Sequence, residues 1–284
     1  MTVAPTSAIP AVNVASVPQR SPLRYPGGKT WLVPHIRHWL TDPSPLLVEP
    51  FVGGGIVSLT AVMEGLADRA LMVDRDRDVA AFWRAALMHG DELADRVLEF
   101  PVSRPAIEEL ERRVPETVLD HGFRTLVLNR TRRGGVLAPG AALTRNGENG
   151  NGVGSRWYPQ TLADRLANIV AQADRLTFCE GDGLAVLELT ATIDGVRLFV
   201  DPPYTGAGGK RAGSRLYAHN VVCHRHIFEA LSRSGCDFLM TYDCSPEIVE
   251  LVSEHGFEAV TVRMKNAHHD RIPELVITRD RLFA

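Results

Sequence analysis

A short apolar run ending in an acid, Leu46-Leu47-Val48-Glu49, is followed directly by Pro50-Phe51-Val52-Gly53-Gly54-Gly55 and then by an apolar-periodic stretch from about Ile56 to Glu64. Strand, glycine turn and helix in that order form the first unit of a nucleotide-binding α/β fold, because glycine lets the backbone approach a ligand closely. A second strand, Arg69 to Val73, ends in Asp74, nineteen residues beyond Gly55. An acid closing the second strand is the usual partner of a ribose hydroxyl pair. The dinucleotide fingerprint is incomplete, however, because Ser58 stands where its third glycine would fall.

Further strands are predicted from Arg175 to Cys179, Val196 to Val200, Cys236 to Thr241, Glu258 to Met264 and Glu274 to Thr278, which makes seven. Most are separated by helical patterns, and the last two by a short connection that permits only an antiparallel pair. The expected fold is therefore α/β, with a mostly parallel seven-stranded sheet and one reversed strand near its edge.

The strand from Val196 leads into Asp201-Pro202-Pro203-Tyr204, and the carboxyl rim of such a sheet is where ligands bind. Each proline removes a donor and leaves carbonyls free to accept from outside, an environment suited to an amino group. Near the amino end, Arg24-Tyr25-Pro26-Gly27-Gly28-Lys29-Thr30 precedes an apolar-periodic segment. It is not a Walker loop, whose first glycine position is filled by Leu23. It does present an aromatic ring, Tyr25, and a cation, Lys29, at a helix start that favours anions.

With 31 Lys and Arg against 34 Asp and Glu, the formal charge is −3, so affinity for nucleic acid has to come from local clustering. Between Gly122 and Tyr158 there are six arginines and one acid, in a segment rich in Gly and Asn. Its head, Asn129-Arg130-Thr131-Arg132-Arg133, mixes base-reading with phosphate-binding residue types, and Arg145 and Arg156 follow. Cys179, Cys223, Cys236 and Cys244 form no C-x-x-C pair and read as reduced, buried thiols of a cytoplasmic protein. His219, Cys223, His224, His226, His268 and His269 match no standard zinc spacing, so no metal is expected. No apolar run approaches the ~20 residues of a membrane span, and residues 1–20 read as a disordered tail.

Arg24 to Lys29, Glu49 to Gly55 and Asp201 to Tyr204, in this order with a basic insert before the third, resemble the Dam-type family of DNA adenine methyltransferases. The resemblance extends from Ser21 onward and includes Asn129-Arg130 and the ending Glu274-Leu275-Val276-Ile277. It implies a Rossmann-like methyltransferase fold over residues 21–78 and 165–284, with a mainly helical target-recognition insert over 79–164. It also implies S-adenosylmethionine as cofactor, with Tyr25 and Lys29 at its methionine end. Phe51 and Gly53 would lie beneath it, Asp74 at the ribose and Asp182 near its adenine. Asn129, Arg130, Arg132, Arg133, Arg145 and Arg156 are the expected DNA contacts, and Asp201, Pro202, Pro203 and Tyr204 the catalytic set.

In the implied reaction the Asp201 carboxylate and the Pro202 carbonyl accept the two hydrogens of adenine's amino group, and Tyr204 stacks on the flipped base. The partners then implied are double-stranded DNA and a restriction endonuclease acting on the same site, with the enzyme itself a monomer. The rivals are methylation of the cytosine amino group, for which relatives more often open the tetrapeptide with Ser, and of RNA or protein amides, where Asn is common. A DNA-binding protein without catalysis is the reading from another class.

Overall fold

The computed structural model describes residues 8–9, 16–25, 27–138, 140–146, 150–190, 192–203, 223–265 and 271–280 of the 284-residue chain. Tyr204, His219, His268 and His269 lie outside the described residues.

Eight strands form one sheet. They are β1 (Ala8–Ile9), β2 (Ser44–Glu49), β3 (Ala67–Asp74), β4 (Leu176–Glu180), β5 (Val196–Val200), β6 (Asp237–Asp243), β7 (Glu258–Lys265) and β8 (Arg271–Thr278). Their spatial order is β1-β7-β8-β6-β5-β2-β3-β4. All neighbours run parallel except β8, which is antiparallel to both β6 and β7. The seven expected strands and the reversed one are therefore present. The eighth, β1, pairs with β7 from within the stretch read as a disordered tail, where Val17 is also buried. β2 lies between β3 and β5, so the strand order reverses there, and ligands of open α/β sheets bind outside the carboxyl ends at such a switch point.

The helices are α1 (Val33–Trp39), α2 (Ile56–Met63), α3 (Arg77–Met88), α4 (Gly90–Glu99), α5 (Arg104–Arg112) and α6 (Val118–Thr131). After them come α7 (Pro159–Val170), α8 (Gly183–Thr190), α9 (His224–Arg233) and α10 (Pro246–Glu254). Alternation along the strands sorts the core into two layers. Leu47, Phe199 and Leu239 point to the face covered by α1 to α4, α6 and α7. Val48, Leu198, Val200, Phe238 and Met240 point to the face of α8, α9 and α10. A fully buried side chain of this kind contributes ~1.5–3 kcal/mol, so both layers hold the rim of the sheet firmly.

Helix α6 runs through the head of the stretch that the composition marks as loop-rich. A capping box between Thr117 and Asp120 starts it. Gly122, an apparent helix breaker, is required: a Cβ there would sit 2.3 Å from Ala85 Cβ and 2.8 Å from the Ala81 carbonyl oxygen. The missing side chain lets α6 pack directly on α3. Leu93, Val97, Ile107, Leu126, Trp157 and Leu162 of the 79–164 segment consequently share one hydrophobic cluster with Leu47, Ala70 and Met72 of the sheet. Among the described residues no helix is long and apolar enough to cross a membrane. The four cysteines are free; Cys236 is buried as expected, whereas Cys179, on the edge strand β4, and Cys223, just before α9, are exposed.

Candidate active site

A cavity of about 400 Å³ opens at the carboxyl ends of β2, β3 and β5. Tyr25, Lys29, Phe51, Asp74, Asp182, Asp201, Pro202 and Pro203, separate in the sequence, all line it. The glycine turn forms its floor. Gly53 takes φ +45°, and a Cβ on it would lie 2.6 Å from the Tyr25 ring. Gly55 caps α2 at φ +64°, with the Trp83 ring where its Cβ would be. Both conformations are in the region that side chains disfavour. The turn is locked from both sides: Gly53 N donates to Asp74 Oδ2 at 2.9 Å, and Trp83 Nε1 donates to the Gly53 carbonyl at 2.9 Å. Trp83 carries no motif signal, and only the packing of α3 against the turn reveals it.

Asp74 ends β3 half-buried, and its other oxygen accepts from Asp76 N at 2.9 Å. Burial raises its carboxyl from the ordinary 3.8 to about 6. Glu49, at the end of β2, is 3% exposed and accepts from both the backbone N–H and the hydroxyl of Ser58. The serine that breaks the dinucleotide fingerprint thus has a partner of its own. Burial pushes Glu49 up to about 8, against the Ser58 hydrogen bonds that favour the ionised form. The folded chain keeps this proton to about pH 8, whereas the unfolded chain gives it up near 4.5. Stability from this group is therefore full below the lower value and lost as pH rises toward the upper one.

Asp201 follows β5 directly. Its Oδ1 accepts from the buried Thr241 hydroxyl at 2.7 Å, and its Oδ2 lies 2.7 Å from Lys29 Nζ. The same ammonium is 3.2 Å from Glu274 Oε1 and donates to the Gly27 carbonyl at 2.8 Å. Lys29 and Glu274 are 3% and 4% exposed. Lys29, expected at the cofactor's methionine end, thus points its charge at the Asp201 carboxylate between two acids. Thr241 and the role of Glu274 were not legible in the sequence, since both reach the site only through the pairing of β6 with β5 and β8. Pro202 is buried and Pro203 half-buried beside them. Asp182 is exposed and caps the start of α8 through Leu184 N at 2.9 Å.

The expected DNA contacts divide. Arg133 and Arg145 are exposed. Asn129 and Arg132 are not available to a polyanion, at 0% and 4% exposure. Asn129 accepts from Arg24 N at 2.7 Å and donates to the carbonyls of Arg24 and Gly135 at 2.8 Å each. Arg132 is held by Glu111 and the Leu137 carbonyl. These two assignments are corrected: both side chains tie loops to α6, because α6 is a core helix and not a loop. Arg130 is also buried but lines the cavity, and Arg156 is half-buried.

Residues 25–109 match the family model described as D12 class N6 adenine-specific DNA methyltransferase. The resemblance to the Dam-type family is borne out over that segment. Among curated proteins no sequence match is found. Similar solved structures include precorrin-6y C5,15-methyltransferase from Geobacter metallireducens, at 12% identity and TM-score 0.38, covering 87% of this chain and 85% of that one. Another is the rRNA methyltransferase aviRa from Streptomyces viridochromogenes, at 15% identity and TM-score 0.36, covering 96% and 85%. These overlaps are distant.

The residues present fit the cofactor. Gly54 and Gly55 line the cavity, Phe51 offers a ring, and the Asp74 carboxylate can accept from a hydroxyl pair. Among the described residues no three His, Cys, Asp or Glu side chains are grouped to hold a metal ion. Because Asp74 is the stronger hydrogen-bond acceptor when ionised, cofactor affinity is expected to be constant above pH 7. It should weaken by up to about tenfold per unit below pH 6. Calorimetric titration from pH 5 to 8 checks this, and an affinity unchanged down to pH 5 would remove Asp74 from the site.

Proposed function

We propose that this protein is an S-adenosylmethionine-dependent methyltransferase that acts on the exocyclic amino group of an adenine flipped out of duplex DNA. The observation that carries the reading is Asp201, oriented by Thr241 and Lys29 at the end of β5 with Pro202 beside it, in the cavity that also holds the glycine turn and Asp74. The match of residues 25–109 supports adenine as the target. S-adenosylmethionine supplies an electrophilic sulfonium methyl group when bound.

An exocyclic amino nitrogen is a poor nucleophile because its lone pair is delocalised into the ring. The Asp201 carboxylate and the Pro202 carbonyl accept its two hydrogens, which localises the lone pair toward the methyl donor. Asp201 Oδ1 is already occupied by Thr241, so Oδ2, now beside Lys29, is the oxygen that takes the amino hydrogen. Lys29 keeps Glu274 and the Gly27 carbonyl as partners while it yields that oxygen, so no buried charge is stranded. The base must leave the stack to reach this cavity, and unstacking costs a few kcal/mol. Tyr204 is the proposed stacking partner.

Incubation of the protein with methyl-labelled S-adenosylmethionine and unmethylated duplex DNA, followed by nucleoside analysis, tests the reading. Label is expected in N6-methyladenine. Label in cytosine, in RNA only, or in neither nucleic acid rejects it.

A further inference from the structure

Three arginines from three separate segments line one side of the cavity: Arg24 from the loop before Tyr25, Arg130 from α6 and Arg165 from α7. The hydrogen-bond partners of Arg130 and Arg165 are neutral carbonyls. Arg130 Nε donates to the Arg156 carbonyl at 2.9 Å and Nη1 reaches the Pro22 carbonyl at 3.5 Å, while Arg165 Nη1 donates to the Ser21 carbonyl at 2.9 Å. Among the described residues no carboxylate forms an ion pair with any of the three. Arg130 is 6% exposed, and burial together with the charges of Arg165, Arg24 and Arg156 pulls it down to about 9; burial lowers Arg24 and Arg165 too. Cations crowded out of water without a counter-charge are costly unless an anion joins them.

We infer that Arg24, Arg130 and Arg165 form a phosphate clamp that holds the sugar–phosphate backbone of the target strand beside the cavity in which Asp201 receives the base. The inference rests on the nucleic-acid substrate proposed above. S-adenosylmethionine also carries an oxyanion, its carboxylate, but as a whole it is a cation through its sulfonium and ammonium groups. Three guanidinium groups therefore mismatch it and match a phosphodiester chain, which brings one negative charge with every nucleotide. The clamp adds to the exposed Arg133 and Arg145 of the basic segment. It also uses two arginines, Arg24 and Arg165, that lie outside that segment.

The test uses Arg24→Gln and Arg165→Gln in the full chain, measuring duplex affinity against salt concentration, S-adenosylmethionine affinity by calorimetry, and thermal stability. Each variant is expected to reduce the slope of log K against log[salt] by about 0.9, with cofactor affinity unchanged. Arg165→Lys, which keeps the charge, should retain the wild-type slope even if the loss of the Ser21 contact lowers stability. Unchanged slopes in both Gln variants overturn the clamp, as does a cofactor affinity that falls about tenfold while the slope holds, which would make this a carboxylate site. Wild-type protein that fails to bind duplex overturns it as well. Salt-dependent binding lost in the variants, from a protein that puts no label in adenine, would keep the clamp and reject the proposed reaction.

Discussion

Replacing Asp201 with alanine is expected to lower the methyl-transfer rate at least 10²–10³-fold, roughly the loss seen when one preorganised hydrogen-bonding group is removed from a transition state. S-adenosylmethionine affinity should stay within a few fold, because the glycine turn and Asp74 are untouched. The fold should survive, since Lys29 keeps Glu274 at 3.2 Å and the Gly27 carbonyl at 2.8 Å. Alanine does leave the buried Thr241 hydroxyl without its acceptor, at a cost of ~1–3 kcal/mol. Asp201→Asn separates the two effects, because its carbonyl can still accept from Thr241 while the negative charge is gone. Single-turnover rates on duplex DNA make the comparison, and undiminished turnover in both variants would take Asp201 out of the reaction.

Gly53→Ala is expected to weaken S-adenosylmethionine binding more than tenfold and to destabilise the protein by about 2 kcal/mol or more. Two effects add. The left-handed backbone at φ +45° costs a non-glycine residue ~1–2 kcal/mol, and overpacking costs ~1–3 kcal/mol more. The new methyl would sit 2.6–2.9 Å from three atoms of the Tyr25 ring. The backbone cannot move away without breaking the bonds from Gly53 N to Asp74 and from Trp83 to the Gly53 carbonyl, so the Tyr25 ring has to give. Adding Tyr25→Ala should then recover part of the lost thermal stability without restoring cofactor affinity. Affinity equal to wild type in Gly53→Ala would show that the turn does not carry the cofactor.

The comparison of Asp201 with Gly53 separates two kinds of information. Both were legible in the sequence because each belongs to an uninterrupted local unit, strand then turn, whose conformation depends on residues next to it. The same holds for Asp74, which simply ends the following strand. The seven main strands and the reversed β8 were legible for the same reason: apolar runs and connection lengths are local facts. The short β1 was not, because two residues pair with β7 only after the rest of the sheet exists.

What tertiary structure alone decided is who meets whom at the rim. Lys29 comes from the start of the described globular chain, Thr241 from β6 and Glu274 from β8, and only strand order brings them to one carboxylate. Burial was equally non-local. Asn129 and Arg132 carry residue types that suit DNA, yet α6 packs on α3 through Gly122 and turns both inward, where their hydrogen-bonding groups serve loops. Residue chemistry, which the sequence determines, set what these side chains can do. The packing of α6 and the order of the strands determined whether they face a nucleic acid, a cofactor or each other, since exposure is a property of neighbours far away in the chain.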